Sequence, residues 1–154
     1  MSKSTLLFHN ERKINAPLHV QGGYHSNNTF EHIYPKILKD ILLEFKRILH
    51  PKGHMSHFVD MSDHFAHADK SISIYNFLTF SKHTWEFWID NSVQPQNRYR
   101  FDQYTAMYNE LNINITESDV RPGDVNIIKS LKISKEFSIF TPESLAISHC
   151  YLFT

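Results

Sequence analysis

Asp60, Asp63, His64, His67 and Asp69 are the densest run of titratable side chains in the chain. An imidazole beside a carboxylate can take a proton from a hydroxyl or an amine, so Asp60, Asp63, His64 and His67 suit general-base or substrate-binding work. A metal site is a second chemistry open to the same run. His64 and His67 are three residues apart and would share a helical face, with Asp60 or Asp63 beside them. A polar loop with capping aspartates is the plain alternative. His54 and His57, three apart on an expected strand, point to opposite faces and support no joint site.

Other groups carry weaker signals. Gln94, Gln96, Asn97, Arg98 and Arg100 offer hydrogen bonds to a polyhydroxylated or phosphorylated acceptor, and equally suit a solvated loop. Tyr75, Phe77, Phe80, Trp85, Phe87 and Trp88 could line an acceptor pocket or stack on a sugar or base, but large aromatics fill cores first. Cys150 is the only cysteine, which excludes an internal disulfide and a zinc site of several thiolates. Its place in an apolar closing segment suits a small buried hydrophobe. Spacing alone supports no nucleophile–base pair.

The composition bounds what these residues can belong to. A chain of 154 residues, 41% hydrophobic and 21% charged, is long enough for one folded domain and short for two. Sixteen basic and sixteen acidic residues balance, so there is no electrostatic case for a general nucleic-acid or anionic-membrane binder. No apolar run approaches the length of a membrane span, and Leu6-Leu7-Phe8 is too short for a signal peptide. The reading is a soluble, cytoplasmic protein of a single domain over residues 1–154. Glycine is scarce, at 4 residues, and no G-x-G occurs, which argues against a complete phosphate- or nucleotide-cradling loop.

The elements that must position the titratable groups follow from periodicity. The first 24 residues resist assignment, apart from a short strand at Leu18-His19-Val20 ended by Gln21-Gly22-Gly23. Ile33, Ile37, Leu38, Ile41, Leu42, Phe45, Ile48 and Leu49 then recur at helical spacing, opposite Lys36, Lys39, Asp40, Lys46 and Arg47. Pro35 suits the first turn of that helix, and His50-Pro51-Lys52-Gly53 should stop it. A strand is expected from His54 to Asp60, then a polar loop from Met61 to Ser73. Ser81 can cap a helix reaching Asp90, and Asn91 to Arg100 reads as a loop.

Phe101, Tyr104, Met107, Tyr108 and Leu111 mark another helix, stopped by Asn112. Ile113 and Ile115 alternate with polar neighbours, which predicts a strand to about Glu117. A turn at Arg121-Pro122-Gly123-Asp124 leads into a helix around Val125 to Leu131. Thr141-Pro142-Glu143 opens one helical turn, and Leu145 to Phe153 closes the chain as a strand. Strands alternating with helices predict an α/β fold with a mostly parallel sheet and flanking helices.

The stretch Ser26-Asn27-Asn28-Thr29-Phe30-Glu31-His32-Ile33 resembles the class I S-adenosylmethionine-dependent methyltransferases, where such a stretch leaves a strand and enters a helix. The helix ending Lys46-Arg47-Ile48-Leu49-His50-Pro51-Lys52-Gly53 is similar to that family's. The strands His54 to Asp60 and Ala146 to Phe153 also sit where the family has them, so the resemblance covers roughly residues 24–154.

The resemblance implies a partial Rossmann-like sheet and methyl transfer from S-adenosylmethionine to a small-molecule or sugar acceptor. Asn27, Asn28, Glu31 and His32 would face the cofactor, and Asp60, Asp63, His64 and His67 would serve the acceptor, with no metal. For Glu31 the simpler role is a charge interaction at a helix N-terminus. The family's glycine-rich loop and its acidic ribose partner have no counterpart here. The chain therefore looks like the C-terminal half of such an enzyme, truncated ahead of the fourth strand and inactive alone. An unpaired sheet edge near Leu18 to His25 would favour a homo-oligomer, or a partner chain supplying the missing half. A non-catalytic remnant or interaction subunit is one alternative. A histidine-rich metal-binding domain, given 11 histidines, is another.

Overall fold

The computed structural model describes residues 21–90 and 95–154. The strand expected at Leu18-His19-Val20 and the first part of the loop after Asp90 lie outside them. Strand β1 (Gln21–Asn27) runs through Gly22 and Gly23, which belong to the strand and do not end it. Helix α1 (Pro35–Ile48) buries Leu38, Ile41, Leu42 and Ile48, with Pro35 in its first turn and Lys46 and Arg47 in its last.

Helix α1 does end just ahead of His50-Pro51-Lys52-Gly53, but those residues belong to a strand rather than to a connection. Strand β2 (Leu49–Asp60) begins at once and includes those residues. The β1/β2 register slips there, with Gln21 opposite Leu49 but Gly23 opposite His54, so Pro51 falls where the ladder asks for no donor.

Beyond β2 come the short helix α2 (Phe65–Ala68) and helix α3 (Lys82–Thr84). Ser81 caps α3 by accepting from the Thr84 amide, and the helix continues as a π turn over Trp85–Ile89. Helix α4 (Phe101–Glu110) stops near Asn112, which takes a left-handed φ of 53°. Ile113 does not open a strand. It is buried, its amide bonds the Tyr108 carbonyl, and strand β3 starts later (Glu117–Arg121). Four of the five β3 residues are exposed, so no apolar alternation marks this edge strand.

Helix α5 (Val125–Ser130) is capped by Asp124, and α6 (Pro142–Ala146) by Thr141. Strand β4 (His149–Phe153) is shorter than expected because Leu145 and Ala146 are buried within α6. Gly123 lets the β3–α5 turn pass close to Tyr75. A Cβ there would lie 1.8 Å from the Tyr75 hydroxyl and 2.2 Å from the Ala146 carbonyl oxygen.

The sheet order is β1-β2-β4-β3. The expectation of a largely parallel sheet is corrected. Only β1/β2 is a parallel pair, while β2/β4 and β3/β4 are antiparallel. Helix α1 is long enough for a parallel crossover, whereas the chain returning through α5 and α6 inserts β4 between β2 and β3 against their direction. Alternation of elements in the sequence does not encode that reversal. The fold is thus α/β with a four-stranded open mixed sheet.

One core joins the sheet to α1 and α4 through Leu38, Leu42, Met55, Val59, Tyr104, Tyr108, Cys150 and Leu152. A second gathers Tyr75, Phe77, Trp85, Phe137 and Leu145. Phe87 and Trp88 depart from the aromatic run, being 71% and 79% exposed. Among the described residues no helix is long and apolar enough to cross a membrane.

Candidate functional site

The chain leaves β1 at Asn28, whose φ of 48° is left-handed and whose amide donates to the Phe58 carbonyl at 3.0 Å. A 3-10 turn over Phe30–His32 follows and turns Glu31 inward. Two residues beyond the end of β2, the Ser62 amide donates to Asp60 Oδ1 at 2.8 Å, and α2 then carries His67 just after His64. The carboxyl ends of the two parallel strands thus deliver two groups of side chains to one place.

There, the rings of His32 and His64 meet edge to face with centroids 4.8 Å apart, and His67 stacks on His64 at 5.2 Å. Asp60 Oδ2 lies 3.7 Å from His64 Nε2 and 3.9 Å from His67 Nε2. Its Oδ1 lies 3.4 Å from His149 Nε2, reached across the β2/β4 ladder. These contacts are ionic only when the imidazole is protonated, and they are too long for good hydrogen bonds.

Residues 95–100 strap the two strand ends together. His32 Nδ1 donates to the Pro95 carbonyl at 2.8 Å. A carbonyl only accepts, so Nδ1 carries a proton. Asn97 donates to the Phe30 and Ile33 carbonyls, each at 2.8 Å, and its amide to the Glu31 carbonyl at 2.9 Å. Gln96 donates to the Ser62 carbonyl and accepts from the His64 amide at 3.4 Å.

Arg100 is wholly buried and donates to the carbonyls of Met61 (2.6 Å), Leu145 (2.9 Å) and Ile147. Burial draws its guanidinium down to about 10, so it stays charged at neutral pH. Arg98 bonds the Phe77 and Phe80 carbonyls and pairs with Glu136 at 2.7 Å. The alternative that Gln96, Arg98 and Arg100 belong to a solvated loop is therefore corrected. All three are buried and bond backbone carbonyls, Arg98 pairing with the Glu136 carboxylate as well.

Glu31 is 2% exposed, and both its carboxylate oxygens lack a hydrogen-bond partner. Burial first, and then the Asp60 charge, raise its carboxyl to about 7. Its own amide and that of Asp60 lie near enough to hold the rise back, without bonding in normal geometry. Burial lowers the His64 and His149 pKa values, with Asp60 pulling the other way.

Of the residues singled out by sequence, Glu31, His32, Asp60, His64 and His67 come together. Asp63 does not join them, because its Oδ1 caps the Phe65 amide at 2.9 Å and its Oδ2 accepts from Asn76 at 3.4 Å. Burial raises the Asp63 carboxyl too. Asn27 and Asn28 are exposed at the end of β1. Sequence reasoning missed His149, and it singled out Gln96 and Arg100 for an acceptor rather than for the backbone bonds that hold the strand ends. His149 could have been found only from the strand register.

A separate cavity of about 500 Å³, with Tyr34, Trp85 and Phe140 in its walls, shares Gln96, Asn97, Arg98 and Tyr99 with the strap but none of the ionisable cluster. No protein-family model matches the chain, and no curated protein or solved structure matches it.

Proposed function

We propose that the cluster is the acceptor side of an S-adenosylmethionine-dependent methyl-transfer site, built on part of a Rossmann-like sheet. One observation carries the reading. The Ser26–Ile33 stretch, which bears the resemblance to the methyltransferases, meets the Asp60–His67 segment at the carboxyl ends of adjacent parallel strands. Ligands of open α/β sheets bind at that end. The unit β1-α1-β2, a parallel pair joined by a helix, supports the Rossmann-like reading.

In this reading Asn27, Asn28, Glu31 and His32 face the methyl donor. The acceptor's oxygen or nitrogen attacks the sulfonium methyl in line, forming its bond to carbon as the carbon–sulfur bond breaks. S-adenosylhomocysteine leaves with the electron pair, and the acceptor's proton passes to His64 or His67 beside Asp60. A small molecule, sugars included, suits the acceptor. The outer edge of β1, unpaired among the described residues, is where strands of a second copy or another chain would join.

Calorimetry with S-adenosylhomocysteine tests the reading. With no glycine-rich loop in this chain, binding is weak, with a dissociation constant of about 0.1–10 mM. His32→Ala abolishes it, and His54→Ala leaves it unchanged. Absence of any binding, or indifference to His32→Ala, would contradict the proposal.

A further inference from the structure

We infer that Glu31, His32 and His64 form a binding site for a divalent first-row transition metal ion of the zinc type. One ligand atom from each of the three lies within 4.8 Å of the other two. Two imidazoles and one carboxylate are a ligand set that zinc and its neighbours accept, with a position left open for a small molecule. The two imidazoles argue against magnesium and calcium, which take oxygen ligands.

Three independent features point to a cation. Glu31 is almost completely buried with both oxygens unpartnered, and among the described residues no salt bridge reaches it. A buried carboxylate without a counter-charge is costly, and a bound cation supplies one. His64 Nε2 is likewise buried without a hydrogen-bond partner. The His32 Nδ1–H bond to the Pro95 carbonyl is the outer-shell contact that aims the opposite nitrogen of a ligating histidine.

Asp60, 3.7 Å from His64, adds a second negative charge to the surroundings. Bonds of about 2.0–2.2 Å would draw the three ligand atoms closer, a movement left to the partly exposed His32 and His64 side chains. The metal pairing suggested by sequence, His64 with His67 and Asp60 or Asp63, is not this one. His67 turns to the Ser62 hydroxyl at 3.2 Å, and Asp63 caps its own loop. The inference goes beyond methyl transfer and stands whether or not the chain binds the methyl donor; with His64 holding the ion, His67 is the base left beside Asp60.

The test uses the full chain without an affinity tag, stripped by chelator, then titrated with zinc by calorimetry and with cobalt(II) by visible absorption. One ion binds per chain. Glu31→Gln and His64→Ala each remove a ligand and weaken binding by about 100-fold or more, beyond the loss typical of an outer-shell partner. His54→Ala leaves it unchanged, which separates the site from the His25–His54 ring pair at 5.2 Å. Circular dichroism checks each variant's fold, and His32→Ala replaces either one that fails. No saturable binding by the parent chain, or binding undiminished by the Glu31 and His64 substitutions, would overturn the assignment.

Discussion

Asp60 and His149 stand opposite one another in the antiparallel ladder of β2 and β4, with Oδ1 and Nε2 3.4 Å apart. Burial lowers the His149 pKa, and the Asp60 charge opposes that fall. Asp60→Asn removes the opposition, so His149 should titrate at a lower pH than in the parent chain. Carbon-labelled histidine NMR reads this directly, and an unchanged His149 pKa would show that the contact carries no electrostatic coupling.

Arg100 joins the end of β2 to the α6–β4 corner through the Met61, Leu145 and Ile147 carbonyls. Arg100→Met fills similar space but leaves those three acceptors unpaired. The expected loss of unfolding free energy is about 3 kcal/mol or more. Urea denaturation measures it, and a loss below about 1 kcal/mol would mean that water replaces the guanidinium.

His57 supplies a pH dependence remote from the cluster. It is wholly buried between aromatic rings, with Nδ1 2.8 Å from the Ser26 hydroxyl, and burial holds its pKa near 3 against an ordinary 6.5. Between those values the unfolded chain binds a proton that the folded chain refuses. The stability is therefore full above the ordinary value and falls with pH, by up to about 1.4 kcal/mol per pH unit. His57→Leu should flatten this acid limb in pH-dependent melts. An unchanged limb would assign it to other groups.

Glu31 acts in the opposite sense when metal is removed by chelator. Its carboxyl rises from 4.5 to about 7 on folding, so stability is lost as pH rises through that window. Glu31→Gln should gain roughly 2–3 kcal/mol at a pH of about 8 and nothing below the ordinary value. Equal stability of parent and variant at both pH values would show that the carboxylate has found a partner in solution.

Much of the fold was legible because helical stripes and caps are local. The Ser81 cap, the helix starts after Asp124 and at Thr141-Pro142, the stop at Asn112 and the middle of the α1 stripe from Leu38 to Ile48 stand where the sequence places them. Ile33 and Leu49 fall outside α1, and Ile37 is exposed. Strand ends were less legible, and for physical reasons. Strand β3 shows only Val120 partly covered, while Ile113 is packed at the end of α4 and mimics a strand's apolar position. Pro51 reads as a stop but occupies a slipped register. The direction of β4 depends on the path of the returning chain, which no local pattern records.

The site was legible in halves. Glu31-His32 and Asp60–His67 each stand out as short polar segments, and only the parallel pairing of β1 and β2 brings them together. Residues 95–100 looked solvated because polar side chains that satisfy buried carbonyls have the same composition as polar side chains in water. His149 carries no signal until the β2/β4 register is known.

Amide chemical-shift mapping by NMR during titration with S-adenosylhomocysteine tests the central claim most directly. The account predicts progressive shifts at Ser26, Asn27, Asn28, Glu31 and His32 and in the segment from Asp60 to His67, with the rest of the sheet unmoved. Shifts confined to the cavity walls around Tyr34, Arg98 and Phe140, or no shifts at millimolar ligand, would contradict it.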